Sequence, residues 1–280
     1  MRELERQGAI DRVNGSTSID IPLDYKRNDG AEFQTTDLEP VSTSKTEVLT
    51  TATYAVAQLQ VPITWSKKNE AENPSANQKI SLVKSLIENA LTTHDDLIEE
   101  ALFVADTNGF KGLPTIIPTN GQGTVGGIDS GTETWFRNYA TTYLANYSDI
   151  EAKMTVAYNT ASKGSGSAVQ PKFLVSDAET HAGFEGQLQG LQRFVDTSEA
   201  NAGFKVLAFK TARYVFSQYG TTSIFFLNAK TFKLKVFKNA YRLLGDTKEL
   251  INAAGYTRQI FSLLQTTTNN KSRLAVISPA

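Results

Sequence analysis

The chain has 280 residues, of which 40% are hydrophobic, so it is long enough to bury a sizeable core and is not a disordered tail. It contains no cysteine, which excludes disulfide bonds, thiolate metal sites and cysteine nucleophiles. The formal net charge is −1, which argues against a protein dedicated to sequence-specific DNA binding. No segment resembles a signal peptide or a membrane span, so we expect a soluble, unexported protein without a membrane partner.

The first predicted elements are two long strands with a polar stretch between them. Both ends of 16–65 alternate apolar and polar side chains, a period that is typical of strands with one buried face. We predict an extended hairpin over 16–65, preceded by a short arm over 1–15. Because two strands bury too little surface to be stable alone, the hairpin needs a partner. The alternating side chains are Ile19, Ile21, Leu23 and Tyr25 in the first strand and Leu59, Val61, Ile63 and Trp65 in the second.

After a break rich in serine, asparagine and proline, the apolar period changes to that of a helix. Apolar side chains form one stripe over about 76–106, and Asn108-Gly109 is predicted to end it. Such a helix is well above the usual globular length, since it spans on the order of 45 Å. An ordinary long core helix or a coiled coil would also give an apolar stripe, although this stripe does not keep a strict heptad.

A glycine-rich segment comes next, in which Gly121, Gly123 and Gly126 match the pattern of a dinucleotide-binding loop. That loop binds pyrophosphate only where a strand passes into a helix. Here a proline precedes the glycines and turn residues come after them, so we predict no cofactor. The alternative is a flexible loop that leads to a buried anchor at Trp135 and Phe136.

The second half of the chain mixes helices and strands, which makes the fold class α+β. Ser148 and Glu151 form a predicted capping box at the start of a helix that ends near Ala161. A flexible linker over 163–168 separates this helix from the next strand. The further predicted elements are a strand over 171–176, a helix from Ala178 to Phe194, and strands over 204–216 and 221–228.

No set of residues points to catalysis or to a metal site. The two histidines, His94 and His181, each lack a second histidine at ligand spacing, and no Gly-x-Ser-x-Gly elbow presents a nucleophile. His94 lies on the apolar stripe, where a hydrogen-bonded core histidine is expected. His181 could join Asp177 in a small cluster at a helix start, or simply lie at the helix end. We therefore predict no catalytic, cofactor or metal residues, and no enzyme.

The segment from Thr124 to Asn138 and a later block over 223–276 resemble, in this order, the major capsid proteins of tailed phages with the Hong Kong 97-type fold. The first is Thr124-Val-Gly-Gly-Ile-Asp, followed after a short gap by Trp-Phe-Arg-Asn ending at Asn138. Its anchor and loop residues are Gly126, Gly127, Trp135 and Arg137. The second block comprises 223–228, 232–236, 259–264 and 270–276, which occur in the family's order. The similarity runs from about Asn14 to the carboxyl terminus.

The resemblance implies a domain organisation, in which the extended loop over 16–65 reaches over an adjacent subunit. Its alternating side chains are then candidates for contact between subunits. Relatives commonly carry a longer amino-terminal arm than the short one predicted here, which leaves arm contacts open. The implied parts are an arm over 1–15, the extended loop over 16–65, a peripheral domain over 66–147 with a spine helix and the glycine loop, a mainly axial domain over 148–227, and carboxy-terminal strands over 228–280 that mainly return to the peripheral domain.

The implied function is that of a major capsid protein. Its hexamers and pentamers would close into an icosahedral head around double-stranded DNA, contacted without sequence specificity. Portal, scaffold or decoration proteins would be further partners, and the protein would reside in the virion after assembly in the host cytoplasm. Some relatives join a lysine to an asparagine of the next subunit, but no residues here match that pattern, and we predict no crosslink.

Lys233 and Lys235 share one face of a predicted strand whose other face is apolar. They lie either on a solvated face or in contact with DNA or with acids of a neighbouring subunit.

Two other functions remain open. An encapsulin-like compartment would share the fold but enclose protein cargo. A monomeric enzyme or ligand-binding domain is the alternative from a different class, and the missing catalytic residues and the unsupported hairpin count against it.

Overall fold

The computed structural model describes residues 2–33, 47–72, 76–163, 170–189 and 207–280. Within these ranges the helices are α1 (Arg2–Arg6), α2 (Lys67–Glu72), α3 (Ala76–Phe103), α4 (Leu113–Ile116), α5 (Ile150–Ala161) and α6 (Ala178–Gln189). The strands are β1 (Ile10–Val13), β2 (Ser18–Asp24), β3 (Leu49–Ala55), β4 (Ala57–Ser66), β5 (Asp106–Thr107), β6 (Phe110–Lys111), β7 (Thr124–Val125), β8 (Ile128–Asp129), β9 (Tyr139–Tyr143), β10 (Phe173–Ser176), β11 (Ala208–Phe209), β12 (Ala212–Phe216), β13 (Ile224–Leu227), β14 (Phe232–Phe237), β15 (Leu243–Leu244), β16 (Lys248–Glu249), β17 (Gly255–Thr268) and β18 (Ala275–Pro279). In the part of the chain so described, no helix is both long and apolar enough to cross a membrane.

The first six-stranded sheet is built around β17. On one side of β17, β4 runs antiparallel from Ala57 opposite Leu264 to Ser66 opposite Gly255. The other side is shared in turn by β14, β15 and β16. β1 then adds in parallel to the outer side of β14. A strand from near the amino terminus therefore lies in the same sheet as strands from the last quarter of the chain.

α3 confirms the predicted long helix and packs on β4. Its apolar stripe meets the buried face of β4 in a cluster that includes Ile63, Trp65 and Ala90. Asn108-Gly109, however, does not end the helix. Both residues have positive φ, 48° and 90°, and form the two-residue turn of the β5–β6 hairpin, which is the conformation that Asn-Gly favours.

The second six-stranded sheet has the order β11-β12-β10-β13-β18-β9. α5 packs across β9 and β18, and α6 packs on β12. The core between helices and sheet contains large side chains that are at most 2% exposed, including Tyr143, Phe184 and Phe226. Because β18 pairs between β13 and β9, the last residues of the chain belong to this sheet and not to the first.

The structure divides the region 16–65 differently from the sequence prediction. β2 pairs antiparallel with β3, from Ser18 opposite Ala55 to Asp24 opposite Leu49. β4 comes directly after β3 but pairs with β17. The predicted hairpin is therefore wrong in its second half, because a period of two shows which face of a strand is buried and not which strand it pairs with. The boundaries predicted for the domains stay predictions.

The start of α5 also differs from expectation. Asp149 precedes its first residue, and Ser148 does not cap it, because the Ser148 hydroxyl donates to Asn146 Oδ1 at 2.9 Å. The linker predicted over 163–168 lies mostly outside the described residues. The end of the helix predicted to reach Phe194 also lies outside them.

Candidate functional site

The β2–β3 hairpin lies on a loop of the same chain, residues 121–131, which we call the glycine loop. Its two strands alternate cleanly, with one face buried and the other exposed. The buried side chains are Ile19, Ile21 and Leu23 of β2 and Ala52 and Tyr54 of β3, none more than 8% exposed. They belong to the same core as Val125 and Phe136. The hairpin therefore has the support that two strands need, and that support is intramolecular.

Gly126 and Gly127 form the two-residue turn of the β7–β8 hairpin, at the tip of which the loop meets β3. Both have positive φ, 60° and 81°, which glycine adopts without strain. A Cβ on Gly126 would lie 2.7 Å from the Ala52 Cβ, whereas one on Gly127 would meet nothing within 4 Å. The Thr53 N–H donates to the Gly126 carbonyl at 3.0 Å. The glycines thus make a turn and a close contact, and no helix begins among them.

Two cations also contact the glycine loop. Arg137 donates to the carbonyls of Ser130 and Gly131, each at 3.3 Å. Lys271 is completely buried and donates to Ser130 Oγ at 3.0 Å. Burial lowers the pKa of Lys271 to about 8, and the charge of Asp129 opposes this effect only in part. Sequence reasoning missed Lys271, because a lysine among polar residues gives no sign of burial.

Trp135 connects the loop to the hairpin instead of forming the predicted buried anchor. Its ring centroid lies 5.4 Å from that of Tyr25, and its Nε1 donates to Glu133 at 2.6 Å. The fully buried residue is its neighbour Phe136. An indole with a polar N–H is more easily accommodated near the surface, where that group finds a partner, than a phenyl ring is.

The second-strand candidates lie elsewhere, so the structure does not bring the two predicted sets together. Val61, Ile63 and Trp65 are buried beneath α3, and Leu59 is half-buried. The Trp65 ring lies 5.9 Å from that of Tyr256 on β17. These side chains already have partners within the chain, and contact with a neighbouring subunit stays a prediction.

The two candidate lysines of β14 face the amino-terminal arm. Lys233 Nζ donates to the carbonyl of Gly8 at 2.7 Å. Lys235 Nζ lies 3.8 Å from Asp11 Oδ2 on β1. Both cations therefore help to hold β1 on the edge of the first sheet, and their contact with DNA or a neighbouring subunit stays a prediction.

Neither a protein-family model nor a curated protein sequence matches the chain. Solved structures do. The capsid asymmetric unit of cyanophage A-1(L) superposes with a TM-score of 0.67 at 15% identity, covering 99% of this chain and 92% of that one. The chain has the Hong Kong 97-type fold. A protein of Mycobacterium phage Bobi gives a TM-score of 0.63 at 11% identity, with 99% and 90% covered. The SrpI encapsulin complex of Synechococcus elongatus PCC 7942 gives 0.63 at 8%, with 99% and 86% covered.

Within this Hong Kong 97-type fold, one row of contacts has the order of a catalytic triad. His94 Nε2 lies 2.8 Å from Ser262 Oγ, and His94 Nδ1 lies 3.2 Å from Asp95 Oδ1. Ser262 Oγ also accepts a hydrogen bond from the Arg242 backbone N–H at 2.8 Å. His94 and Ser262 are both 0% exposed, so no substrate reaches the hydroxyl. The row joins α3 to β17, as expected for a core histidine, and burial lowers the pKa of His94 despite its bond to Asp95.

Of the two alternatives for His181, the structure agrees with a position at the helix end, since the residue lies in the first turn of α6. The Asp177 carboxylate accepts from the Thr180 backbone N–H at 2.8 Å and not from His181. The imidazole packs on the rings of Tyr214 and Phe216, with centroids 4.7 and 5.3 Å away. Burial lowers the pKa of His181 as well. Among the described residues, no three histidine or carboxylate side chains are grouped so as to hold a metal ion.

A cleft of about 420 Å³ lies between α1, α3 and the second sheet. Its lining includes the carboxylates of Glu3, Asp95, Asp96 and Glu99, together with apolar side chains such as Phe103. Asp95 pairs with Arg242, and Glu99 accepts from the Ser217 hydroxyl at 2.6 Å. None of the residues predicted as sites lines this cleft, and two of the four carboxylates that line it, Asp95 and Glu99, make the structural contacts just described.

Proposed function

We propose that this chain is a major capsid protein, copies of which assemble as hexamers and pentamers into an icosahedral phage head around double-stranded DNA. The observation that supports this most is the superposition on a phage capsid subunit over 99% of the chain. A partial match could come from a shared motif, whereas a match over both sheets, α3 and the hairpin involves the whole architecture. A shared fold does not by itself give a function, so the proposal must also identify surfaces of this chain that could make the contacts of a shell.

The hairpin is the first surface that we assign to contact with an adjacent subunit. Its root is fixed on the glycine loop, and its buried face is occupied by its own chain. Beyond the root, Phe33 is 102% exposed and Leu49 is 67% exposed. Exposed apolar side chains of this size at one end of a hairpin favour a partner. We therefore move the proposed inter-subunit contact from the buried side chains of β2 and β4 to the far end of the hairpin.

The remaining parts of the proposal derive from a purely structural role. Such a protein needs no catalytic residues. Its partners would be copies of itself and DNA bound without sequence specificity, together with portal, scaffold or decoration proteins. It would reside in the virion after assembly in the host cytoplasm, with the peripheral and axial domains divided as the sequence predicts.

The test is assembly. The purified chain, expressed alone and with its neighbouring genes, is examined by sedimentation and negative-stain electron microscopy. We expect closed shells or capsomer rings, and DNA inside the shells formed in the presence of a packaging system. Shells that contain a protein cargo and no DNA would favour an encapsulin-like compartment. A compact monomer under both conditions would overturn the proposal in favour of an enzyme or ligand-binding domain.

Denaturing electrophoresis of the same particles tests the predicted absence of covalent bonds between subunits. We expect one band at the monomer mass of 30.6 kDa. A ladder of higher masses would contradict this prediction.

A further inference from the structure

β4 is an edge strand of the first sheet. Over ten residues one of its sides pairs with β17. No described residue pairs with its other side. α3 packs on the apolar face of β4, against side chains that include Val61, Ile63 and Trp65. The backbone N–H and C=O groups along the outer side of β4 therefore have no strand partner among the described residues.

This outer edge has only one of the usual protections of an exposed strand, the proline at position 62. Proteins also shield long edges with charged side chains, above all lysine, or by keeping such strands short. No charged residue occurs from Val48 to Ser66. The exposed face of β4 carries Gln58, Gln60, Pro62 and Thr64. An uncharged edge of this length is a site at which another strand is expected to pair.

Pro62 shows which backbone groups point outward. Because proline has no N–H, it fits in a paired strand only where that group would point away from the partner strand. The direction of the peptide groups alternates along a strand, so Val61 and Ile63 bond to β17. The N–H groups of Gln58, Gln60 and Thr64 then point away from β17. Pro62 interrupts the outer row at one position and leaves donors on both sides of it.

We propose that a strand from a second copy of this chain adds to the outer edge of β4 in the assembled particle. This inference rests on the proposed function, which places copies of the chain side by side. An edge without charges offers no electrostatic feature for a different protein to recognise, and it lets an identical protein approach without like-charge repulsion. Backbone hydrogen bonds supply the affinity, and the glutamine and threonine side chains tolerate close packing.

Hydrogen exchange measures this pairing directly in the wild-type chain. Particles assembled from this chain alone are compared with unassembled protein. We expect the amides of Gln58, Gln60 and Thr64 to exchange more slowly in the particle, by on the order of tenfold. The amides of Val61 and Ile63, already bonded to β17, serve as the internal reference and change far less.

A pair of variants separates the backbone from the side chain at one position. Gln60→Pro removes one outward N–H, whereas Gln60→Ala removes the side chain and keeps that N–H. We expect Gln60→Pro to fold with an unchanged circular dichroism spectrum but to need about tenfold more protein for assembly, the equivalent of roughly 1.4 kcal/mol. Gln60→Ala should assemble like the wild type.

The outcomes separate this inference from the proposed function. If the wild-type chain forms no particles under any condition, the proposed function fails and the inference fails with it. If particles form but the outward amides of β4 exchange as fast as in the free protein, only the inference is overturned. Protection that appears only when another protein is co-assembled would also overturn it, since that protein would then occupy the edge. A misfolded Gln60→Pro variant leaves the exchange measurement as the deciding one.

Discussion

The β2–β3 hairpin and β4 are consecutive in the chain and share one alternating pattern, yet they are buried in different ways. The apolar face of the hairpin lies on the glycine loop, where Gly126 meets Ala52 and Tyr54. The apolar face of β4 lies beneath α3, and its backbone pairs with β17 along its whole length. The hairpin depends on the glycine loop and on the Tyr54 hydroxyl, which donates to the Thr268 carbonyl of β17 at 2.9 Å, whereas β4 depends on a ten-residue ladder and a helix. Defects in β4 should therefore affect global unfolding, and defects at the loop should mainly release the hairpin.

The largest effect is expected on the β4 side, from Ile63→Ala. Ile63 is 4% exposed beneath α3, and its truncation leaves a cavity that should lower the free energy of unfolding by about 2–5 kcal/mol. Urea denaturation of the unassembled protein measures it. Gln58→Ala on the exposed face of the same strand is the matched control, with an expected change within about 0.5 kcal/mol. Equal effects of the two substitutions would mean that the face beneath α3 is not part of the cooperative core.

Next comes the contact between loop and hairpin, tested with one substitution at two adjacent positions. Gly126→Ala adds both a strained φ and an overlap with Ala52, and should cost about 2–4 kcal/mol. Gly127→Ala adds the strain alone and should cost about 1 kcal/mol. Hydrogen exchange should show faster amides in β3 for Gly126→Ala while β4 stays protected. Loss of protection in both strands would show that hairpin and β4 unfold as one unit.

A smaller effect is expected beneath the glycine loop, from Lys271→Met. The pKa of Lys271 in the folded protein, about 8, is below the ordinary value of 10.5, so the unfolded chain binds the proton more tightly. Wild-type stability from this group is fully present above pH 10.5 and is lost as the pH falls toward 8. The Lys271→Met variant should therefore have a free energy of unfolding about 1–3 kcal/mol higher than that of the wild type at pH 7. It should also lack the increase in this free energy that the wild type shows between pH 8 and 10.5. Urea unfolding at several pH values measures this, with the exposed Lys84→Met as control.

The smallest effect is expected at His94, between α3 and β17. Because burial lowers its pKa, stability from this group is complete above the ordinary value of 6.5 and is lost as the pH falls below it. The free energy of unfolding should change by less than about 1.4 kcal/mol per pH unit, which is the limit for one proton. His94→Gln should remove that part of the acid sensitivity, measured as the urea midpoint between pH 7 and 5. Burial lowers the pKa of His181 as well, so His181→Gln should remove a separate part of the acid sensitivity and leave the part from His94 in place. An unchanged slope in His94→Gln would contradict the assignment.

The local period of the apolar residues predicted which faces of the helices and strands are buried. It could not predict which strands, distant in the sequence, pair with each other. The stripe of α3 and the alternation of Ile19, Ile21 and Leu23 both match the structure, because solvent exposure repeats with the geometry of each element. The partner of β4 is β17, nearly two hundred residues later, and both strands are compatible with many partners. The family resemblance located the glycine loop, but nothing in its sequence indicated that the hairpin would lie on it.

The contacts that sequence reasoning missed are those made by single polar residues across the fold. Ser262 lies in an apolar strand pattern, and only the register of β17 brings it to His94. Lys271 is buried because the glycine loop folds over it, which no property of its neighbours indicates. Ser148 had the right spacing for a cap, but Asn146 offered its hydroxyl a closer acceptor. Each of these depends on tertiary geometry and not on local preference.

The length of β17 has a mechanical consequence. Over its first ten residues β17 is bonded to β4, and over its last five it is bonded to β14. A force along the strand direction loads these hydrogen bonds in shear, because they lie across the strands and share the load together. A force that pulls the tip of the β2–β3 hairpin sideways instead peels a two-stranded ladder one bond at a time. The subunit should therefore resist stretching along β17 and yield first at its hairpin.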